Sequence, residues 1–391
     1  MRAPDEAWLA GLGTVLREWG RIGFTGFGGP PAHIALLRRL CVDDRGWLDA
    51  TEFEDAIAAC NLLPGPASTQ LAIFCAWRVR GRLGAVAGGL AFIVPGLIII
   101  LFLSALFLAG APPLWVRGAG AGAGAAVAAV AVQAGWSLLT PSWKRASARE
   151  PVRVSRLRWA FYLLAGAAAS ATIGPWLVLV LLGCGGFELA VRRVSWPPRV
   201  VPGIAPLFPA VLSGGLLASV AWMAFKVGAL SFGGGFVIIP LMRGDAVGRG
   251  WMTNDQFLNA VALGQITPGP VVQTVAAVGY AAAGLPGGLL AAVVAFSPSF
   301  AFVLGGGRYF SALRKNRDAQ SFLDGAGPAA IGAIFGAAFL LARALSEGWQ
   351  FAVLAGAAAL LLLFRRGVVL TLLSAAAVGL VIAFAGGPLP S

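Results

Sequence analysis

Long apolar runs, cut by short basic or Gly/Pro-rich breaks, dominate the chain. Gly84–Leu108 and Gly118–Thr140 contain no charged residue, and each exceeds the roughly 20 apolar residues that cross a bilayer as a helix. Reading apolar runs and breakers along the first half predicts helices over 8–27, 31–40, 51–63, 66–78, 84–109, 118–140, 159–173 and 175–191. The second half predicts 208–231, 236–247, 253–267, 270–283, 286–307, 322–345, 349–364 and 367–386. Two breaks stand out, "LLPGPASTQ" at Leu62–Gln70 and "GQITPGPVVQT" at Gly264–Thr274. Proline in a helix interior removes a donor and clashes with the preceding turn, so each break splits one helix into two.

Composition sets the solvent. Apolar residues are 58% of 391 and charged residues 12%, against about 25% charged in soluble domains. The chain reads as a polytopic membrane protein. Its net charge of +13 does not indicate nucleic acid, because the basic residues fall in short loops (38–45, 78–82, 144–158, 192–199, 308–317, 365–366), as positive-inside topology requires. No cleavable signal is evident, since Arg2, Asp5 and Glu6 precede a helix carrying Arg17, Glu18 and Arg21. Cys41, Cys60, Cys75 and Cys184 show no CxxC spacing and read as buried packing. No phosphate-binding Gly-x-x-x-x-Gly-Lys motif occurs, and one histidine cannot build a metal cluster. Neither an enzyme, a cofactor nor a metal site is indicated.

The chain repeats itself. Gly23–Pro30 aligns with Gly228–Gly235, Gly46-Trp47 with Gly250-Trp251, Phe53 with Phe257, Pro64-Gly65-Pro66 with Pro268-Gly269-Pro270, and Gly84 with Gly288. Trp159–Ala169 aligns with Trp349–Ala359. This divides the chain into a first repeat over 1–194, a linker over 195–207 and a second repeat over 208–391. Arg78, Arg80 and Arg82 place the start of the helix at 84–109 on the cytoplasmic side. Its counterpart begins without charge and ends beside Arg308, Arg314, Lys315 and Arg317. The repeats therefore run in opposite directions. The expected fold is all-α, with two inverted-topology repeats, each of about five spanning helices plus a broken re-entrant pair at its Pro-Gly-Pro. Secondary transporters share this plan.

A re-entrant tip suits an anion. Pro66 and Pro270 can each open a half-helix, where the missing N–H is no loss, leaving free N–H groups and a positive dipole end at membrane depth. Pro64, Gly65, Pro66, Ser68, Thr69 and Gln70 form one candidate binding element. Pro268, Gly269, Pro270, Gln273 and Thr274 form the other. Gly28 and Gly29, with Gly233 and Gly234, give Gly-rich corners that can wall the site, or that simply permit tight helix crossings. Arg21 and Lys226 hold matching positions, each six residues before the Phe of its corner. They read as charges facing the tips, or as snorkelling groups with Glu18 pairing Arg21. Glu54 and Asp55 read as proton-coupling candidates or as a solvated helix start. His33 reads as a relay or as a hydrogen-bonded structural residue.

At these residues the sequence resembles the chromate ion transporter family. That family carries a Phe-Gly-Gly-Pro corner and a Leu-Leu-Pro-Gly-Pro followed by glutamine, here Phe27–Pro30 and Leu62–Gln70. Its other half carries Phe-Gly-Gly and Thr-Pro-Gly-Pro, here Phe232–Gly234 and Thr267–Pro270. The resemblance covers nearly the whole chain. It implies export of chromate across the inner, cytoplasmic membrane of a bacterium, powered by the proton-motive force. The expected partners are chromate or a sulfate-like anion, protons and the bilayer, and a homodimer is left open. The alternatives are an oxyanion channel, a sulfate carrier, or a membrane scaffold whose broken helices only aid packing.

Overall fold

Inside a bilayer every backbone N–H and C=O must find a partner within the protein, which favours helices. The computed structural model describes residues 9–63, 65–108, 112–149, 151–172, 176–194, 215–231, 238–306 and 316–390, and among them all regular structure is helical. The first half holds α1 (Leu12–Thr25), α2 (Pro30–Arg38), α3 (Ala50–Leu62), α4 (Ala67–Phe107), α5 (Leu114–Ser147), α6 (Val152–Thr172) and α7 (Leu177–Val194). The second holds α8 (Leu216–Leu230), α9 (Ile238–Ala246), α10 (Asn254–Ile266), α11 (Thr274–Gly306), α12 (Arg317–Arg343), α13 (Gly348–Ala358) and α14 (Val368–Phe384). Among the described residues, α4, α5, α12 and α11 with its leading 3-10 turn are long and apolar enough to cross a membrane, while α8, α13 and α14 are shorter apolar helices. The linker over 195–207 and the corner glycines Gly233 and Gly234 lie outside the described residues, as does Pro64.

The longest helices are folded, not straight. In α4, Arg80 (φ −143°, ψ 24°) and Gly81 (φ 62°, ψ −154°) reverse the chain, and in α11 Ala283 (φ −145°, ψ 28°) and Gly284 (φ 62°, ψ −155°) do the same. Only glycine takes this positive φ at little cost. The returning segment packs on the outgoing one through glycine: a Cβ on Gly84 would lie 2.4 Å from the Ala76 carbonyl, and one on Gly279 would lie 2.4 Å from the Gly287 carbonyl. We call the outgoing and returning segments α4a and α4b, α11a and α11b. The structural partner of Gly84 is thus Gly287, one residue earlier than the sequence alignment gives. The 3-10 turn Val271–Gln273 accounts for the shift. Three residues rising about 2.0 Å each cover what four α-helical residues cover at about 1.5 Å.

Another boundary moves. The expected basic loop 144–158 shrinks to 148–151, because α5 runs through Pro141 to Ser147 and α6 begins at Val152. Polarity marks where the chain leaves the apolar layer, not where the helix stops. Trp159 Nε1, donating to Ser142 Oγ at 2.9 Å, ties the two extensions together.

The halves are inverted and interlocked. Gly89 faces Phe300 while Gly288 faces Leu101, so the equivalent segments α4b and α11b cross antiparallel. α1 lies along α4b, with Gly23 against the Phe92 carbonyl, and α8 repeats this along α11b, with Gly228 against Ala295. Outside this centre the halves exchange helices. α5 packs on α14 through Gly118, Gly122 and Gly379, and α12 packs on α6 and α7 through Gly166, Gly332 and Gly325. A Cβ at Gly166 would sit 1.8 Å from the Ala329 carbonyl. Small residues at such crossings let backbones meet in a medium with no hydrophobic drive. We expect Gly166→Leu to abolish monodisperse folded protein on size exclusion, whereas Gly183→Leu, at a glycine with open space around it, should elute as the unaltered chain does.

Candidate functional site

The first tip is a true hairpin. Arg78 near the end of α4a bonds Glu52 at the start of α3, so both arms end on one side, with Leu63, Gly65 and Pro66 at the tip between them. Gly65 takes φ 115° there. Thr69 and Gln70 already donate their N–H groups to the Pro66 carbonyl, which leaves those of Ala67 and Ser68 ahead of the first helical bond. Ser68, Thr69 and Gln70 are all buried. The tip projects into the other half: a Cβ on Gly65 would lie 3.2 Å from the Gly228 carbonyl of α8 and 3.4 Å from Ser299 Oγ of α11b.

The second tip mirrors this. Gly269 (φ 93°) donates its N–H to the Gly26 carbonyl at the end of α1, 3.0 Å away. Gln273 Nε2 donates to the Ile93 carbonyl of α4b at 2.9 Å, and Thr274 Oγ1 donates to the Val271 carbonyl at 2.8 Å. Gly96 of α4b permits this seat, since a Cβ there would come 2.1 Å from the Pro268 carbonyl. Gly29 of the first corner stands 3.6 Å, by the same measure, from the Val271 side chain. Each half therefore inserts its tip into the helix pair of the other.

His33 in α2 joins the two. Its Nε2 lies 2.9 Å from the Gly26 carbonyl that also accepts from Gly269, and its Nδ1 lies 3.4 Å from Ser68 Oγ. A carbonyl only accepts, so Nε2 carries the hydrogen and the neutral ring accepts from Ser68 at Nδ1. Phe92 meets the ring edge-on at 5.0 Å. The other proton-coupling candidates stand apart: Glu54 is exposed and 3.4 Å from Arg38, and Asp55 is half-buried on the same helix.

Arg21 and Lys226 do not meet the tips as bare charges. Arg21, its side chain 62% exposed, pairs with Glu18 at 3.1 Å, and Glu18 also takes Arg45 at 3.2 Å. Lys226 is buried and pairs with Asp245 at 2.6 Å, and Asp245 also takes Arg249 at 3.1 Å. The halves build the same triad with the acid moved, from α1 in the first to α9 in the second. A cation at membrane depth is costly until paired; Glu18 pairs Arg21 as its spacing of three residues allows, while the 19 residues between Lys226 and Asp245 hide the second carboxylate. Asp245→Asn alone should cost about 3 kcal/mol or more by stranding the buried Lys226, whereas Lys226→Met should cost less because Asp245 keeps Arg249. The double substitution should recover most of that loss, read as the thermal midpoint in detergent.

Two serines escaped the sequence reading. Ser299 faces Gly65, and Ser231 caps α8 three residues beyond Gly228. Both are fully buried. The signal was in the repeat: Ser299 stands where the first half has Gly96, and Ser231 stands where it has Gly26.

The family model for the chromate transporter matches residues 13–187 and 218–380. A probable chromate transport protein of Synechococcus elongatus is 32% identical over 83% of this chain and 82% of its own. Chromate transport proteins of Pseudomonas aeruginosa and Cupriavidus metallidurans are 30% and 31% identical, covering 84% and 88% of this chain and 80% and 86% of theirs. No solved structure gives a significant match. With two inverted halves, a broken helix in each and this coverage, the chain is a multi-pass membrane transporter and belongs to the chromate transporter family.

Proposed function

We propose that the protein exports a tetrahedral divalent oxyanion, chromate first and sulfate as its near-isostere, across the cytoplasmic membrane of a bacterium. It works as a proton-coupled secondary transporter with alternating access. The observation that carries this reading is the meeting of the tips: Gly269 on the Gly26 carbonyl, His33 on that same carbonyl, and Ser68 of the first tip on His33. Half-helix N-termini, neutral hydroxyls and peptide N–H groups can replace an oxyanion's water without holding it by full charge, so it can leave again.

His33 is the group we assign to proton coupling. Protonation at Nδ1 turns that atom into a donor and frees the Ser68 hydroxyl hydrogen for the tip. Glu54, exposed beside Arg38, supplies a helix start. Motion follows the packing rather than the chain order. Since α5 is locked to α14, and α12 to α6 and α7, the bodies that rock are the central pairs α1/α4b and α8/α11b against the exchanged flanks, not one half against the other.

Everted vesicles test the reading. Chromate and sulfate should accumulate inside them when a ΔpH is imposed, and an uncoupler should abolish the accumulation. Flux down the anion's own gradient with no response to ΔpH would mean a channel, and no oxyanion flux at all would mean a scaffold. His33→Gln keeps a donor for Gly26 but cannot ionise, so its flux should lose the response to ΔpH.

A further inference from the structure

The two tips share one plan but end in opposite hydrogen-bonding states. At the second tip, Gly269 N–H, the Gln273 amide and the Thr274 hydroxyl are all committed to carbonyls. Its first-turn side chains, Val271 and Val272, are apolar and buried. At the first tip Thr69 Oγ1 and Ser299 Oγ, and at the C-terminal end of α8 Ser231 Oγ, have no hydrogen-bond partner among the described residues, and all three residues are 0% exposed. Such groups are uncommon and costly. Hydroxyls on this chain's other helices normally turn back to a preceding carbonyl, as Ser104 does to Ile100, Thr267 to Leu263 and Ser297 to Val294. Thr69 and Ser299 do not; among the described helices Ser170 of α6 shares that state, packed against Gly336 of α12.

The asymmetry has a steric origin. Gly96 lets the second tip press its backbone onto α4b, whereas the equivalent Ser299 carries a Cβ that denies the first tip the same seat. Its hydroxyl instead faces Gly65. Similarly, the Gly26 carbonyl takes Gly269, while the residue in its place in the second half is Ser231, which brings a hydroxyl.

We infer that the oxyanion lodges at the first tip alone, held by the first-turn N–H groups of α4a and the hydroxyls of Thr69, Ser231 and Ser299, while the second tip is a saturated anchor. This rests on the transport reading and gives it a single, asymmetric locus to which the second half contributes side chains. The donor set is neutral, which suits a small anion with oxygen acceptors on every side. The described second half holds one competing orphan near its tip, Gln265 Nε2 at the end of α10.

Sulfate, a dianion across the neutral range, is the probe, titrated calorimetrically into the purified full chain. Ser299→Ala and Thr69→Val should each weaken binding by about tenfold or more, the loss expected for one hydrogen bond to a charged group. Because each removes an unpartnered buried hydroxyl, the thermal midpoint without sulfate should stay level or rise. A purely structural role would lower it instead. Gln265→Leu should leave the affinity within about twofold. Unchanged affinity in Ser299→Ala and Thr69→Val overturns the inference, as does a loss in Gln265→Leu or Thr274→Val instead. If the unaltered chain binds neither sulfate nor chromate, the transport reading falls and the placement with it.

Discussion

A broken helix in the middle of a bilayer exposes peptide groups that no water can satisfy, and each group left alone there costs several kcal/mol. That single constraint organises the molecule. Each Pro-Gly-Pro tip has to be taken in by protein, and each is taken in by the opposite half, at Gly26, Ile93 and Gly96 for one and at Gly228 and Ser299 for the other. The exchange that satisfies the backbone also brings two helix N-termini toward one centre. Fold and site share a cause.

Glycine is the second ingredient. Gly81 and Gly284 reverse the two long helices with nearly identical angles, and Gly118, Gly166, Gly332 and Gly379 let helices of different halves meet backbone to backbone. Contacts that close do not open and close during a transport cycle without large cost. The exchanged flanks are therefore held together as packed units.

Much of this was legible in the chain. Charge-free windows, the duplicated motifs and the placement of Arg and Lys in loops gave an all-helical, inverted, two-repeat membrane fold with re-entrant tips. The features that escaped depend on contacts that sequence spacing does not encode. The one-residue slip between Gly84 and Gly287 comes from a 3-10 turn whose residues look like any first turn. Arg21 and Lys226 align perfectly, yet their carboxylates come from different helices, so the nearby Glu18 was readable as the partner of Arg21 while Asp245, 19 residues from Lys226, was not. Ser231 and Ser299 carry no signal in a repeat alignment, which marks what the halves share. Their meaning lies in where the halves differ.

The most direct measurement is anomalous diffraction from crystals grown with selenate, a tetrahedral dianion whose selenium can be located without ambiguity. The expected result is one selenium peak per chain, buried at the start of α4a within hydrogen-bond reach of Thr69 and Ser299. A peak beside Gln273 and Thr274, or one seated on Lys226 or Arg21 with the first tip left vacant, would contradict it.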